Sequence, residues 1–240
     1  MKLSELICSS MKNREIKVAI IDNSINSSIY TPVKHWKSFF NEEWVAFKAK
    51  ESQFPDLKNG EYTHLILTGS ESSILGREKW AYEEIGLIQE AVGKNLHIIG
   101  SCWGHQLLAV ALAGPLYVRR CTKPEIGWIK IFIKEANSIL GKEKQAFAFS
   151  SHFDEVINLN DDFTILASSE QCRIQAFQVK DHPIWGIQFH PEMNISDTQD
   201  YLKDCISLKL ETSSLFETAL KSIPEDSGLI YKIIERFFCK

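Results

Sequence analysis

The spacing of apolar residues divides the chain in two. In the first half, short β-branched runs alternate with stretches whose apolar residues recur every three to four positions. "EIKVAIID" (15–22) reads as a buried strand and "EWVAFKA" (43–49) as a second. The polar segment "NSINSSIYTP" (23–32) lies between them and leads into a helix over 33–40. "YTHLILTGS" (62–70) is a third strand that ends in a glycine turn. "REKWAYEEIGLIQEAV" (77–92) has helical spacing, and "LHIIGS" (96–101) is a fourth strand. "HQLLAVALAG" (105–114) is an apolar helix stopped at Gly114-Pro115. Alternation of this kind predicts a parallel sheet covered on both faces.

Beyond position 120 the pattern changes. "GWIKIFI", "QAFAFS", "FTILASS", "RIQAFQV" and "IWGIQF" are short strands with few helices between them. They predict an antiparallel excursion followed by a return to the main sheet. Three helical stretches follow, over 196–210, 213–223 and 227–238. With no internal repeat or low-complexity linker, the expectation is one α/β domain over 1–240. Its sheet is mostly parallel and open, of flavodoxin-like type, with a core of about 15–193 and a helical extension over 194–240.

Composition narrows the function classes. A chain of 240 residues buries a sizeable core without disulfides or metals. The net charge of −4 gives no electrostatic reason to bind nucleic acid or an anionic membrane. No apolar run is long enough for a transmembrane helix, and the N-terminal stretch lacks the apolar core of a signal peptide. The cysteines are scattered without a C-x-x-C pair, so neither a zinc site nor a disulfide framework is expected. There is no glycine-rich phosphate loop and no metal-ligand cluster, so no cofactor and no metal are expected. A reducing cytoplasm is the expected compartment.

The chemistry concentrates at "LHIIGSCWGHQ", where Gly100-x-Cys102-x-Gly104 sits between a strand and a helix. This is the form of a nucleophile elbow with cysteine in place of serine. Glycines let neighbouring backbone approach closely. The helix that follows aims its first N–H groups at the sulfur, which favours thiolate. The Trp103 N–H is placed as an oxyanion donor. A buried, inert cysteine in a Gly-flanked turn is the competing reading of this motif alone. A cysteine nucleophile needs a base, and the base needs an orienting group. "IWGIQFHPEM" supplies both: residues two apart share a strand face, so Glu192 lies beside His190, and Pro191 ends the strand.

The two motifs together resemble the class I glutamine amidotransferases, over most of 16–193. "HLILTGS", "GSCWGHQLLAVALAG", "EIGWIKI", "SSHFDEV" and "ILASSEQCRIQAFQVKDHPIWGIQFHPE" follow the family's order and spacing. The resemblance is to standalone members similar to the amidotransferase domain of GMP synthase, and also to γ-glutamyl peptidases of the same fold. It implies a catalytic triad of Cys102, His190 and Glu192, with no cofactor. Trp103, Gly69 and Ser70 would supply the oxyanion hole. Gln106, Ser151 and His152 would lie at the substrate. The family's glycine-rich loop reads Thr68-Gly69-Ser70-Glu71 here, and Trp103 is bulkier than the residue usual beside the nucleophile. Trp103 is therefore expected to narrow or cover the pocket, or to offer a docking face.

His105 is expected to pack, and His152 with Asp154 to support the site. Trp36, Trp44, Trp80, Trp128 and Trp185 are expected in the core, 134–144 on a solvated face, and the remaining cysteines as structural. Three functions stay open. The first is hydrolysis of glutamine, with ammonia passed to a separate synthetase, since no ATP-binding signature is present. The second is hydrolysis of a γ-glutamyl amine, peptide or glutathione-type conjugate, which needs an open pocket for the leaving group. The third is a non-catalytic binding protein on the same fold.

Overall fold

The computed structural model describes residues 15–136 and 138–238. Cys8, Cys239 and the N-terminal stretch read for a signal peptide lie outside them. Among the described residues nine strands form one sheet in the order β2-β1-β3-β4-β9-β8-β7-β5-β6. The parallel part comprises β1 (Lys17–Asp22), β2 (Glu43–Lys48), β3 (His64–Leu67), β4 (His97–Ser101) and β9 (Ile184–Ile187). The antiparallel part comprises β5 (Val118–Ile133), β6 (Gln145–Val156), β7 (Phe163–Ser168) and β8 (Ala176–Val179). The excursion and return expected from the pattern are both present. β9 inserts beside β4 in parallel, with Gly186 opposite Gly100.

Alternation within the parallel strands divides the core. Ala19, Ile21, Leu65 and Leu67 face α2 (Lys79–Gly93) and α3 (Trp103–Leu112). Val18, Ile20, Ile66 and Ile99 face α1 (Pro32–Lys37) and α6 (Leu229–Phe237). Strands buried on both sides read as continuous apolar runs, which is why "VAII" and "LIL" contain no polar residue. α6 is fastened by two buried histidines: His64 Nε2 and His97 Nδ1 both reach the Phe237 carbonyl, at 3.1 and 3.0 Å. Burial lowers the pKa of both, that of His64 to about 3, so each is neutral. Two further amphipathic helices, α4 (Ile195–Ser207) and α5 (Ser213–Lys221), pack on each other beside the site.

Two expectations need correction. Trp44 lies on β2, the outermost strand on that side of the sheet among the described residues, and is 37% exposed. The stretch 134–144 is charged at its ends, but Ile139 and Leu140 are buried against α6, and Lys232 and Arg236 of that helix bind Glu143 and the Ser138 carbonyl.

Candidate active site

Parallel strands deliver all their C-terminal ends to one edge of the sheet, where α/β proteins hold their ligands. Here that edge gathers the 23–31 loop after β1, Gly69 after β3, Cys102 after β4 and His190 after β9. Cys102 has φ 48° and ψ −102°, a strained conformation for a non-glycine residue and costing roughly 1–3 kcal/mol. The flanking glycines make it sterically feasible. A Cβ on Gly100 would lie 2.5 Å from the Gly104 carbonyl group, and one on Gly104 only 2.4 Å from the Leu67 carbonyl oxygen. As the first residue of α3, Trp103 carries an N–H with no acceptor inside the helix. The Cys102 sulfur lies 3.6 Å from the Ser151 carbonyl oxygen.

His190 and Glu192 come together as expected, by a different local structure. β9 ends at Ile187, earlier than Pro191 alone required. The chain then bends, His190 pairs with Phe149 of β6 through a 2.8 Å backbone bond, and a turn returns the Met193 N–H to the His190 carbonyl. The turn, not a shared strand face, puts Glu192 Oε1 2.9 Å from His190 Nδ1. Burial opposes a charge on His190, but a negative Cys102 sulfur and the Glu192 carboxylate outweigh it and push its pKa up to about 10. Burial likewise opposes the Glu192 carboxylate. The His190 charge and the donors around it outweigh burial and hold Glu192 below its ordinary value. With Nδ1 engaged by Glu192, the ring's other nitrogen, Nε2, is the one left for Cys102.

Tyr30 is a member of this group that sequence reasoning missed. Its hydroxyl donates to Glu192 Oε1 at 2.8 Å and lies 3.3 Å from His190 Nδ1. Its ring meets the His190 ring edge-on, 5.7 Å between centroids. Burial, then the Glu192 charge, raises the phenol well above its ordinary pKa, so it stays a donor. The only signal was an aromatic residue ending a polar loop after the first strand. Gly69 closes the other side of the imidazole: a Cβ there would lie 2.9 Å from His190 Cε1. The loop it begins is tied to the sheet by Asn23, which donates to the Thr68 carbonyl and to Glu84. Glu84 is fully buried, and burial pushes it up to about 8.

A cavity of about 520 Å³ opens in front of the sulfur. Cys102, Trp103, Ser70, Gln106, Ser151 and His152 all reach its wall, whereas His190 and Glu192 do not. Trp103 neither covers the cavity nor offers a docking face. Its ring is 2% exposed and stacks on Trp80 at 4.6 Å, in the gap between α2 and α3. Gln106 donates to the Asp154 carbonyl and to Gln188. His105 is buried against Phe177, where burial lowers its pKa to about 3.

A second buried histidine–carboxylate pair stands beside the cavity. His152 Nε2 meets Glu125 Oε2 at 3.1 Å, and Cys172 is close enough for the three to surround a metal ion. Their donors and acceptors are already matched, however. Glu125 accepts from Ser169 and Gln175 at 2.6 Å each, and His152 Nδ1 reaches the Asp154 carbonyl at 3.0 Å. Glu125 and His152 are held in a buried hydrogen-bond network, and the Cys172 thiol lies 3.6 Å from the Ile174 carbonyl. Cys121 and Cys172 border a smaller space next to it, and burial raises both thiols, Cys121 to about 12. Cys205 lines the main cavity.

The fold and this edge define an α/β protein with a cysteine on a nucleophile elbow. The profile of the class I glutamine amidotransferase family matches residues 3–208. The chain belongs to that family of enzymes. It is similar to a glutamine-hydrolyzing GMP synthase subunit of Sulfurisphaera tokodaii, 47% identical over 96 residues, covering 40% of this chain and 50% of the relative. Against the corresponding GMP synthase subunit of Sulfolobus acidocaldarius it is 33% identical over 153 residues, covering 60% and 78%. Among the first curated relatives it matches, the chain covers 50%, 55% and 59% of their length, about half. Its fold is also that of a glutamine amidotransferase of Thermotoga maritima, with a TM-score of 0.74, 22% identity and coverage of 94% and 99%. No helix of the described residues is long and apolar enough to cross a membrane.

Proposed function

We propose that the chain hydrolyses the γ-amide of glutamine through Cys102, His190 and Glu192, and that the ammonia passes to a separate acceptor enzyme. The observation that carries this reading is the Cys102 elbow, with its strained φ, set directly before the buried His190–Glu192 pair. Cys102 attacks the γ-carbonyl carbon. The Trp103 N–H and the Gly69-Ser70 loop receive the oxyanion. His190, protonated at rest, gives its proton to the departing nitrogen, and a γ-glutamyl thioester remains. Thioester formation also removes the negative sulfur that helped hold the proton on His190. Its pKa then falls back, and the same ring serves as base for water. Glu192 holds the ring through both steps. Gln106, Ser151 and His152 border the substrate.

The relatives are named as subunits, which supports an acceptor on another polypeptide. Residues 1–240 are read as one domain, acting in the cytoplasm, where free thiols such as Cys121 and Cys172 persist. The test is intact-protein mass after exposure to a glutamine-like electrophile, with glutamate release measured in parallel. One adduct on the wild type, none on Cys102→Ser, and Cys102-dependent turnover are expected. An adduct elsewhere sinks the assignment. A second reading, hydrolysis of a γ-glutamyl amide with a larger leaving group, is favoured by one feature: a 520 Å³ cavity exceeds what release of ammonia requires.

A further inference from the structure

The cavity in front of Cys102 has two unlike sides. One is polar and centred on Asp154, whose carboxylate accepts from Ser73 at 2.6 Å and from Arg120 at 3.2 Å, with Gln106 on its carbonyl. A carboxylate and a guanidinium side by side suit the ammonium and carboxylate of an amino-acid head. The other side is apolar and built by α4, α5 and the loop between them: Tyr201, Leu208, Leu210 and Phe216, with Ile25 and Ile29 opposite. Leu208 and Leu210 are 45% and 56% exposed, a cost in hydration that ammonia release does not explain.

The apolar side begins beside the rings that pack on His190. Tyr201 packs on Tyr30 (6.2 Å between centroids) and on Phe149 (6.0 Å), and both of those rings pack on His190. From Tyr201 the wall continues through Phe216, 6.3 Å away. A substrate with its head at Asp154 and its γ-carbon at Cys102 presents its amide nitrogen towards His190. A substituent on that nitrogen then extends along Tyr201 and Phe216 to the leucines. Glutamine has no substituent there.

We infer that this apolar side is a leaving-group subsite, and that beside glutamine the site accepts γ-glutamyl amides of apolar alkyl- or arylamines. The inference rests on Cys102 being the nucleophile. Thiolate attack forms the C–S bond, and the C–N bond breaks as His190 delivers its proton, so the amine leaves neutral as RNH₂. Water then cleaves the thioester, its proton goes to His190, and glutamate departs.

The experiment compares glutamate release from glutamine, γ-glutamyl-methylamide and γ-glutamyl-benzylamide, using the full chain and Cys102→Ser. The benzylamide is expected to exceed the methylamide in kcat/KM by about tenfold or more, the scale on which apolar pockets discriminate. Leu210→Glu, at an exposed loop position that tolerates charge, should collapse that ratio towards one, and Phe216→Ala should do the same. Cys102-dependent turnover with no benzyl preference, or a ratio unmoved by Leu210→Glu, overturns the subsite and leaves the nucleophile standing. Turnover that survives Cys102→Ser, or no turnover of any amide, overturns the nucleophile reading and the subsite with it.

Discussion

Among the described residues two histidine–glutamate pairs are buried near the cavity, His190–Glu192 and His152–Glu125. Their separations are nearly equal, 2.9 and 3.1 Å, and both carboxylates are fully or almost fully buried. The surroundings separate them. His152 has Nε2 on Glu125 and Nδ1 on the Asp154 carbonyl at 3.0 Å, with the Cys121 sulfur at 3.4 Å from the same nitrogen, and Glu125 also accepts from Ser169 and Gln175. His190 commits Nδ1 to Glu192, leaves Nε2 for Cys102, and lies just past the end of a parallel strand, next to the strained elbow. A histidine beside a carboxylate is therefore not in itself grounds to propose a catalytic pair. A ring nitrogen left free to exchange a proton with a reacting atom distinguishes the two.

The largest expected effect separates the two histidines. His190→Asn should lower Cys102-dependent glutamate release by about 10²–10⁴-fold, the usual worth of a positioned acid–base group. His152→Asn should instead lower the melting temperature, by breaking a buried network worth roughly 1–3 kcal/mol, while electrophile labelling of Cys102 persists. Equal loss of turnover in the two, with equal melting temperatures, would erase the distinction.

The carboxylates give the next contrast, in stability as well as rate. His190 is raised from 6.5 to about 10, so its stabilisation is complete below pH 6.5 and is lost as pH rises towards 10. Glu192 is lowered from 4.5, so its stabilisation is complete above that pH and is lost as pH falls through its folded value. The pair therefore supports the fold most between about pH 4.5 and 6.5. Glu192→Gln should lower the melting temperature more at pH 5.5 than at pH 9.5, with turnover reduced by on the order of 10–10²-fold. A larger loss at pH 9.5 would contradict the charge assignment. Glu125→Gln should lower the melting temperature with a far smaller loss of turnover.

Much of this was legible in the chain, and the parts that were not share a cause. "VAII", "LIL" and "HIIG" announce buried parallel strands because both their faces are covered. Gly100 and Gly104 announce the elbow because no side chain fits at either. Local pattern ends where tertiary contacts begin. The burial of Ile139 and Leu140 depends on α6, almost a hundred residues later. The stacking of Trp103 on Trp80 depends on how α2 meets α3. The apolar side of the cavity depends on α4 and α5, whose residues carry no motif. Tyr30 reaches Glu192 across 162 positions, and nothing in "SSIYTP" marks it.

Tyr30 also offers the finest test of what sets His190 apart, because its phenol bonds the same carboxylate oxygen that holds the ring. Glu192 Oε1 accepts from both Tyr30 and His190, so the phenol draws off part of the charge that would otherwise hold the imidazolium proton. Other groups lie around the pair: Cys102 on the elbow and His35 on α1 face it directly, with Asp197 of α4 next to His35 and Tyr201 of α4 next to Tyr30. Tyr30→Phe leaves these in place, keeps the ring against His190, and removes one hydrogen bond. Glu192 then pulls harder on His190, whose pKa in the thioester intermediate rises. Hydrolysis of that intermediate needs neutral His190, so the acid limb of the kcat–pH profile should move to higher pH, by about half a unit to one unit, a fraction of the energy of a charge-assisted hydrogen bond. KM should change little. A profile lowered evenly at every pH would reduce Tyr30 to a packing residue, and a limb displaced to lower pH would mean that the phenol strengthens, not weakens, the hold of Glu192 on the ring.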